Sequence, residues 1–573
     1  MDNNKFERYF DIFLFIASFL LIILYLIDYG FYLNVKFSNS IIYASYFVLF
    51  FYIIEIALNF HFTDNIKKEF LNKKIPYIIT FLMLFQYILL KTNFFNIFFE
   101  EQHNYLFYVI ITKLYILYIF FYKFSKLSNV IIPKTKLKSG EIFILSFIVI
   151  IMIGTFLLMM PRATVSSDGI SFVDSLFTST SAVCVTGLIV VDTATYFTRF
   201  GQIIILVLLQ IGGLGLMTFT SFFSIFFFRK MTIREKFMMS HVLNYDSIGD
   251  VQKIISKILI ITFSFEFIGA VSLYFRFKNY FKDTALTIFH SIFQSVSAFC
   301  NAGFSTFTTS LERFSGDIGI NLTVAGLIIV GGLGFLVLLE LFNSFGNEVK
   351  LLSIQAKLVL TVTVVLIFLG TIFIYILESN NLLMNLPVKE KILASFFQSV
   401  TTRTAGFNTI STGNLTMPVL FMMIFLMFVG ASPGSTGGGI KTTTFGLLIA
   451  TIWSTIKGKR DVELFNRRIS KSLIYRVISL VFISIMFVFA IFLVLLITEN
   501  FSIQDTLFEL ISAFGTVGLS TGITSSLSTV GKVAITVTMF VGRLGPITLA
   551  LALSTQEKKV NVQYPKESSI MVG

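Results

Sequence analysis

"SAVCVTGL", residues 181–188, recurs three times along the chain, as "SAFCNAGF" (297–304), "VTTRTAGF" (400–407) and "SAFGTVGL" (512–519). Each copy closes on a glycine followed by Leu or Phe: Gly187, Gly303, Gly406 and Gly518, spaced 116, 103 and 112 residues apart. The flanks repeat as well. A membrane-length apolar run precedes each copy, at about 142–160, 254–275, 357–377 and 474–497. A shorter amphipathic stretch follows it, such as "FVDSLFTST" (172–180) or "TLFELI" (506–511). After each glycine comes a second apolar run, broken by further glycines: "QIGGLGLMT" (210–218), "VGGLGFL" (330–336), "VGASPGSTGGGIK" (429–441) and "VGRLGP" (541–546). Self-similarity at a nearly fixed period marks a repeated architecture. Each unit reads as apolar helix, short helix, glycine turn, apolar helix.

The composition places these units in lipid. Hydrophobic residues make up 55% of the 573, charged residues 13%, and the mean hydropathy is +0.85. A soluble domain carries about 25% charged residues. The first apolar run, 12–27, is flanked by Asp11 and Asp28 and lacks a small-residue cleavage site, so it reads as a retained span. The net charge of +13 does not point to nucleic acid. Its basic residues gather between apolar runs, as in "KTKLK" (134–138), "RKMTIREK" (229–236) and "KGKRDVELFNRRISK" (457–471), the pattern of cytoplasmic loops. "RFKNYFKD" (276–283) runs mildly against that trend. The two cysteines, Cys184 and Cys300, cannot form a disulfide framework and read as small packing residues. No nucleophile–base arrangement and no metal-ligand spacing stands out, so no enzyme chemistry is expected.

A half-helix is too short to cross about 30 Å of hydrocarbon. It must dip in and return. Irregular backbone at that depth survives only where protein buries it or where it lines a watery cavity. Four such loops on one chain can surround one axis, and their carbonyls then form a ring that replaces a cation's hydration shell. The candidate ligands are the backbone oxygens of Val185, Thr186, Gly187, Asn301, Ala302, Gly303, Thr404, Ala405, Gly406, Thr516, Val517 and Gly518. Arg403 occupies the third-repeat position of Cys184 and Cys300. It is expected to brace filter carbonyls or to pair with Glu509 or Asp174.

"GASPGSTGGGIKTTT" (430–444) resembles a phosphate-binding loop at first sight. Ile440 separates Gly439 from Lys441, however, and the apolar run before it lacks strand alternation, so the nucleotide reading fails. The segment is instead expected to be an intramembrane gate. Gly434, Ser435, Thr436, Gly437, Gly438, Gly439 and Lys441 would project into the pore's cytosolic half. Arg543, in the second helix of repeat four, would hold the loop shut. The other three repeats are expected to continue this helix more smoothly.

Residues 140–573 resemble the ion-translocating subunit of the Ktr/Trk/HKT superfamily of potassium transporters. "TSTSAVCVTGL", "SVSAFCNAGF", "FQSVTTRTAGFNT" and "SAFGTVGLSTG" match its filter loops, and "GSTGGGIKTTT" its third-repeat loop. The terminal "VQYPKESSIMVG" is similar to the end of the KtrB branch. One departure is that "QSVTTRTAG" is a residue shorter than "QSVSAFCNAG". The resemblance implies an all-α integral membrane protein with four fused helix–pore-loop–helix repeats around one central pore. It also implies a homodimer in the multi-pass cytoplasmic membrane of a bacterium. Potassium is the implied transported ion, with sodium as a possible activator. A cytosolic regulatory ring of the KtrA/TrkA type would bind the nucleotide, while this chain binds no cofactor. A sodium-selective or poorly selective carrier of the same fold is the alternative. A serine at the first filter position accompanies sodium transport in the plant relatives, and that position is Gly187 here.

The core is assigned to 136–573, with repeats at about 139–235, 250–350, 353–460 and 470–556 and a cytosolic tail at 557–573. The tail and 457–471 are the expected contacts with the ring. Residues 1–135 form an extension with four apolar segments, roughly 10–33, 41–60, 77–98 and 105–122. "FYIIEIALNF" (51–60) resembles the second helix of a voltage sensor, but the arginine-every-third pattern of a sensor's fourth helix is absent. Lys113, Lys123 and Lys126 stand in its place, and a structural or partner-binding bundle is expected. Depth in the apolar runs suggests a Glu55–Lys113 pair.

Overall fold

In the computed structural model, the described residues are 3–31, 34–61, 74–91, 101–131, 139–166, 168–215, 251–344 and 352–545. They form eighteen α-helices, short 3-10 turns and one small hairpin, in which Glu463–Leu464 pairs antiparallel with Arg467–Arg468. Among the described residues, five helices are long and apolar enough to cross a membrane: Tyr9–Gly30, Lys36–Phe60, Lys253–Phe277, Ile354–Glu378 and Lys471–Thr498. The chain is a multi-pass, all-helical membrane protein.

The extension holds α1 (Asn3–Gly30), α2 (Val35–His61), α3 (Lys74–Lys91) and α4 (Glu101–Ile131). Leu14, Leu21, Val48, Tyr52, Met83, Ile116 and Ile119 form its own apolar centre. Glu55 does not pair with Lys113. It receives the Lys123 ammonium, with both oxygens at 2.5 Å, and Asp11 receives the same ammonium at 2.7 Å. Lys113 lies over the Tyr25 ring at 4.8 Å. It stands ten residues, about 15 Å, from Lys123 along the helix. Depth within an apolar run does not fix which face of a helix meets which neighbour.

Repeat one comprises α5 (Ser139–Leu158), α6 (Phe172–Val183) and α7 (Arg199–Leu214). Repeat two comprises α8 (Val251–Phe277), α9 (Thr284–Phe299), α10 (Ile318–Leu333) and α11 (Phe335–Ser344). Repeat three comprises α12 (Ile354–Glu378), α13 (Val388–Thr401), α14 (Met417–Phe428) and α15 (Thr442–Ile456). Repeat four comprises α16 (Lys471–Thr498), α17 (Ile503–Gly515) and α18 (Thr529–Leu544).

The short helices α6, α9, α13 and α17 have 12 to 16 residues, hence at most about 24 Å, and cannot span the core. Their starts are written in the sequence. Ser171 and Ser502 accept from the backbone N–H of Asp174 and Asp505, each at 3.1 Å, and donate back to those carboxylates at 2.8 and 2.6 Å. Such caps satisfy N–H groups that a helix leaves unpaired, and an acidic first turn suits the dipole.

A glycine in the first helix lets each of three pore helices approach closely. Gly154 faces Ser179, Gly269 faces Ser295, and Gly370 faces Ser399. Those serines donate to the carbonyls of Ile151, Glu266 and Ile367 at 2.7, 2.6 and 2.8 Å. Small residues play this part in membranes, where apolar burial does not drive helix pairing.

The second helices do not continue smoothly in the other repeats. Those of repeats one, two and four end at a left-handed glycine, Gly215 (φ 76°), Gly334 (φ 92°) and Gly545 (φ 83°), while α14 ends at Phe428 and the left-handed Gly434 (φ 67°) lies in the loop beyond it. At Gly334 the axis turns by 102° between α10 and α11. A left-handed glycine after the second apolar helix is therefore not peculiar to repeat three. The basic connector 229–236 and the tail 557–573 lie outside the described residues.

Candidate functional site

The four pore helices end on one another. A Cβ built on Gly187 would lie 2.5 Å from the Ala302 carbonyl oxygen, and one on Gly303 would lie 2.9 Å from that of Ala405. One on Gly406 would meet the Val517 oxygen, and one on Gly518 the Thr186 oxygen, closing the circle. Thr186, Ala302, Ala405 and Val517 thus turn their carbonyls into a single four-membered ring. Any side chain on these glycines would enter it.

The backbone conformation repeats four times. Val185, Asn301, Thr404 and Thr516 have φ of 58°, 59°, 70° and 52°, and the glycine two residues later has φ of 93°, 69°, 74° and 90°. Extended backbone alternates its carbonyls; a left-handed residue at every second position turns successive carbonyls to one side. Left-handed Val and Thr are costly, of order 1–3 kcal/mol each, so the surroundings must enforce the shape. They do so by hydrogen bonds from behind. Thr186, Ala302 and Val517 N–H each donate at 2.8 Å to the carbonyl of Ser181, Ser297 or Ser512. The Ser181 and Ser512 hydroxyls accept from Gly187 and Gly518 N–H at 3.0 and 3.1 Å. In repeat three, Ala405 N–H reaches Thr401 at 2.9 Å, four residues back instead of five. The shorter "QSVTTRTAG" is absorbed there without disturbing the ring.

Directly against the ring lies the loop between α14 and α15. Gly438 N–H donates to the Thr516 hydroxyl at 2.8 Å, and Gly437 packs on the Thr404 hydroxyl. The Thr436 hydroxyl donates to Gly331 O at 3.2 Å, and Gly439 N–H to Gly542 O at 3.2 Å. Ser435 bonds back to Ser432 O at 2.6 Å, and the Lys441 ammonium closes on Gly437 O at 2.8 Å. Phe335 N–H, just past the bend in repeat two, donates to Gly434 O at 2.9 Å. The loop thus holds groups from repeats two, three and four. Arg543 adds repeat one: its guanidinium donates to Thr436 O and to Gly212 O. Thr436, Gly437, Gly438 and Ile440 are buried, and Gly434 is exposed.

Arg403 neither braces filter carbonyls nor pairs with Glu509 or Asp174. It donates to the carbonyls of Val429 and Gly430, at 3.3 and 3.1 Å, where the loop leaves α14. Asp174 is taken by Lys532 at 2.6 Å, and Glu509 accepts from the Thr524 hydroxyl. Carbonyls freed by the end of α14 need donors at that depth, and Arg403 is near enough to supply two. Cys184 and Cys300 are buried free thiols. The glycine–serine contacts behind the pore helices were missed in the sequence, although Gly154, Gly269 and Gly370 stand 33 to 36 residues before their filter glycines.

The model of the TrkH family, described as cation transport protein, matches residues 110–564. The chain is 38% identical over 427 residues to the Ktr system potassium uptake protein B of Bacillus subtilis, covering 74% of this chain and 95% of that protein. It is 36% identical over 447 residues to the potassium/sodium uptake protein NtpJ of Enterococcus hirae, covering 77% and 98%. The crystal structure of the potassium transporter TrkH from Vibrio parahaemolyticus superposes with a TM-score of 0.62 at 18% identity, over 83% of this chain and 96% of that one, and shows the shared fold. Four re-entrant repeats closed on a ring of carbonyls, together with this match over most of its length, make the chain a member of the TrkH family of cation transport proteins.

Proposed function

We propose that the chain takes up potassium across the cytoplasmic membrane of a bacterium through the ring at Gly187, Gly303, Gly406 and Gly518. The observation that carries this reading is the fourfold left-handed pair, which puts strained backbone carbonyls where a desolvated cation needs ligands. The pore helices add the negative ends of their dipoles, pointed at the same place. In this reading the 430–441 loop is the gate and Arg543 its latch, since the loop sits against the filter residues Thr404 and Thr516. A homodimer, a cytosolic nucleotide-binding ring of the KtrA/TrkA type and stimulation by sodium come from the family resemblance. The ring subunit would use 457–471 and the tail.

A second reading, a poorly selective potassium/sodium carrier, draws on the name of the Enterococcus hirae relative. Uptake of potassium, rubidium and sodium by potassium-auxotrophic cells, with and without a co-expressed ring subunit, separates the two. Growth rescue with rubidium uptake and little sodium uptake supports the first reading. Equal sodium uptake supports the second, and no uptake of any of the three overturns both.

A further inference from the structure

The extension carries charges that the ion pathway does not use. The Lys123 ammonium on α4 is 1% exposed and lies between Asp11 on α1, at 2.7 Å, and Glu55 on α2, at 2.5 Å. Lys126, three residues on, donates to the other Asp11 oxygen at 2.6 Å and is 34% exposed. The Tyr52 ring lies 5.8 Å from the Lys123 ammonium. Burying such a set costs more than filling the same space with apolar side chains, and a buried ion pair is weak evidence for stability. In a membrane it does what apolar packing cannot: it places charge inside the transmembrane field.

We propose that this bundle senses the electrical potential across the membrane, with α4 as the moving element and Asp11 and Glu55 as fixed counter-charges. Lys123 and Lys126 are three residues apart and share Asp11. A translation of α4 by that step, about 4.5 Å, brings Lys126 to the place of Lys123. Lys126 then takes the seat between Asp11 and Glu55 while Lys123 moves outward from it, so both carboxylates face a lysine in either state. Lys113 travels with them from its seat on Tyr25.

The link to the pore runs along α1. Asp11 is near one end of that helix. At the other end Gly30 packs on Met160, the Tyr29 ring lies 4.8 Å from that of Phe200, and Tyr29 O accepts from Arg162 at 3.3 Å. Met160 and Arg162 belong to the segment that leads into pore helix α6. The basic 134–138 before α5 reads as cytosolic, so α5 ends outside, α1, which ends beside it, starts in the cytosol, and depolarisation drives the lysines outward.

The test follows α4 itself in the full chain. Leu114 is 59% exposed, and both native thiols are buried, so Leu114→Cys accepts a fluorophore selectively. Its emission is recorded under voltage clamp in planar bilayers, beside the potassium current. Three lysines crossing ~15% of a 30 Å core set an about sixfold change in state ratio per 100 mV, and two lysines about threefold.

Lys126→Gln should therefore flatten the curve to about threefold. Glu55→Gln should shift its midpoint and leave its slope, because Glu55 does not move. The label reports α4 whether or not the pore conducts, so a chain without current fails the proposed transport and still tests the sensor. A fluorescence independent of voltage overturns the proposal. So does a slope that Lys126→Gln leaves unchanged in a folded chain, which would make the cluster a structural pin.

Discussion

At Gly187 the fold leaves no room for a side chain. Its φ of 93° disfavours any side chain, and a Cβ there would point at the Ala302 oxygen 2.5 Å away. Gly187→Ser should keep the fold and reduce discrimination of potassium from sodium; relative permeability from reversal potentials, at normal membrane expression, measures it. Unchanged selectivity would remove Gly187 from the ion path. Arg403 acts differently. Its loss leaves the Val429 and Gly430 carbonyls without donors in a buried site, a cost of about 2–4 kcal/mol. Arg403→Ala should lower the detergent-solubilised melting temperature by several degrees, and Arg403→Lys by less. A melting curve identical to wild type would show that water replaces the guanidinium.

The 430–441 loop is the element on which regulation rests in the proposed function. Arg543 ties it to Gly212 of repeat one, and Thr516 ties it to the filter of repeat four. Deleting 435–438, or Arg543→Ala, should raise flux several-fold, reduce its dependence on a ring subunit and leave the potassium preference in place. Rubidium flux into proteoliposomes gives all three. A folded deletion that conducts less than wild type and keeps full regulation would mean that the loop is scaffolding. The loop's neighbours warn against treating a break as peculiar to repeat three. A left-handed glycine ends α7, α10 and α18, whereas α14 stops at Phe428 and the chain reaches its left-handed Gly434 six residues later.

At the scale of the whole molecule, repeats one and four must meet although they lie at opposite ends of the core sequence. Lys532 and Asp174 make that closure at 2.6 Å, with side chains 17% and 23% exposed. A double-mutant cycle with Asp174→Asn and Lys532→Met should give a coupling of about 1 kcal/mol or less, weakening in high salt. Coupling indistinguishable from zero would leave closure to apolar packing and the carbonyl ring. The extension meets this ring through α1, at the segment before α6. A potential-driven shift of α4 would therefore reach the pore by way of repeat one.

The sequence by itself determined the fourfold plan. The recurring glycines, the apolar runs and the helix-start serines are local signals, each set by the chemistry of its own few residues. It also marked the four glycines that the fold brings into one ring, because the same glycine recurs at the same place in each copy. Only the tertiary structure decided which groups meet. The sequence offered Arg403 filter carbonyls or an acidic residue, and Glu55 one lysine; the fold gave Arg403 the root of the loop and Glu55 the ammonium of Lys123. Pairings of buried charges depend on helix rotation, tilt and register, which lipid-facing sequences constrain weakly, since neither face of an apolar helix is excluded from hydrocarbon. Local geometry was therefore legible from residue type, and long-range partnership was not.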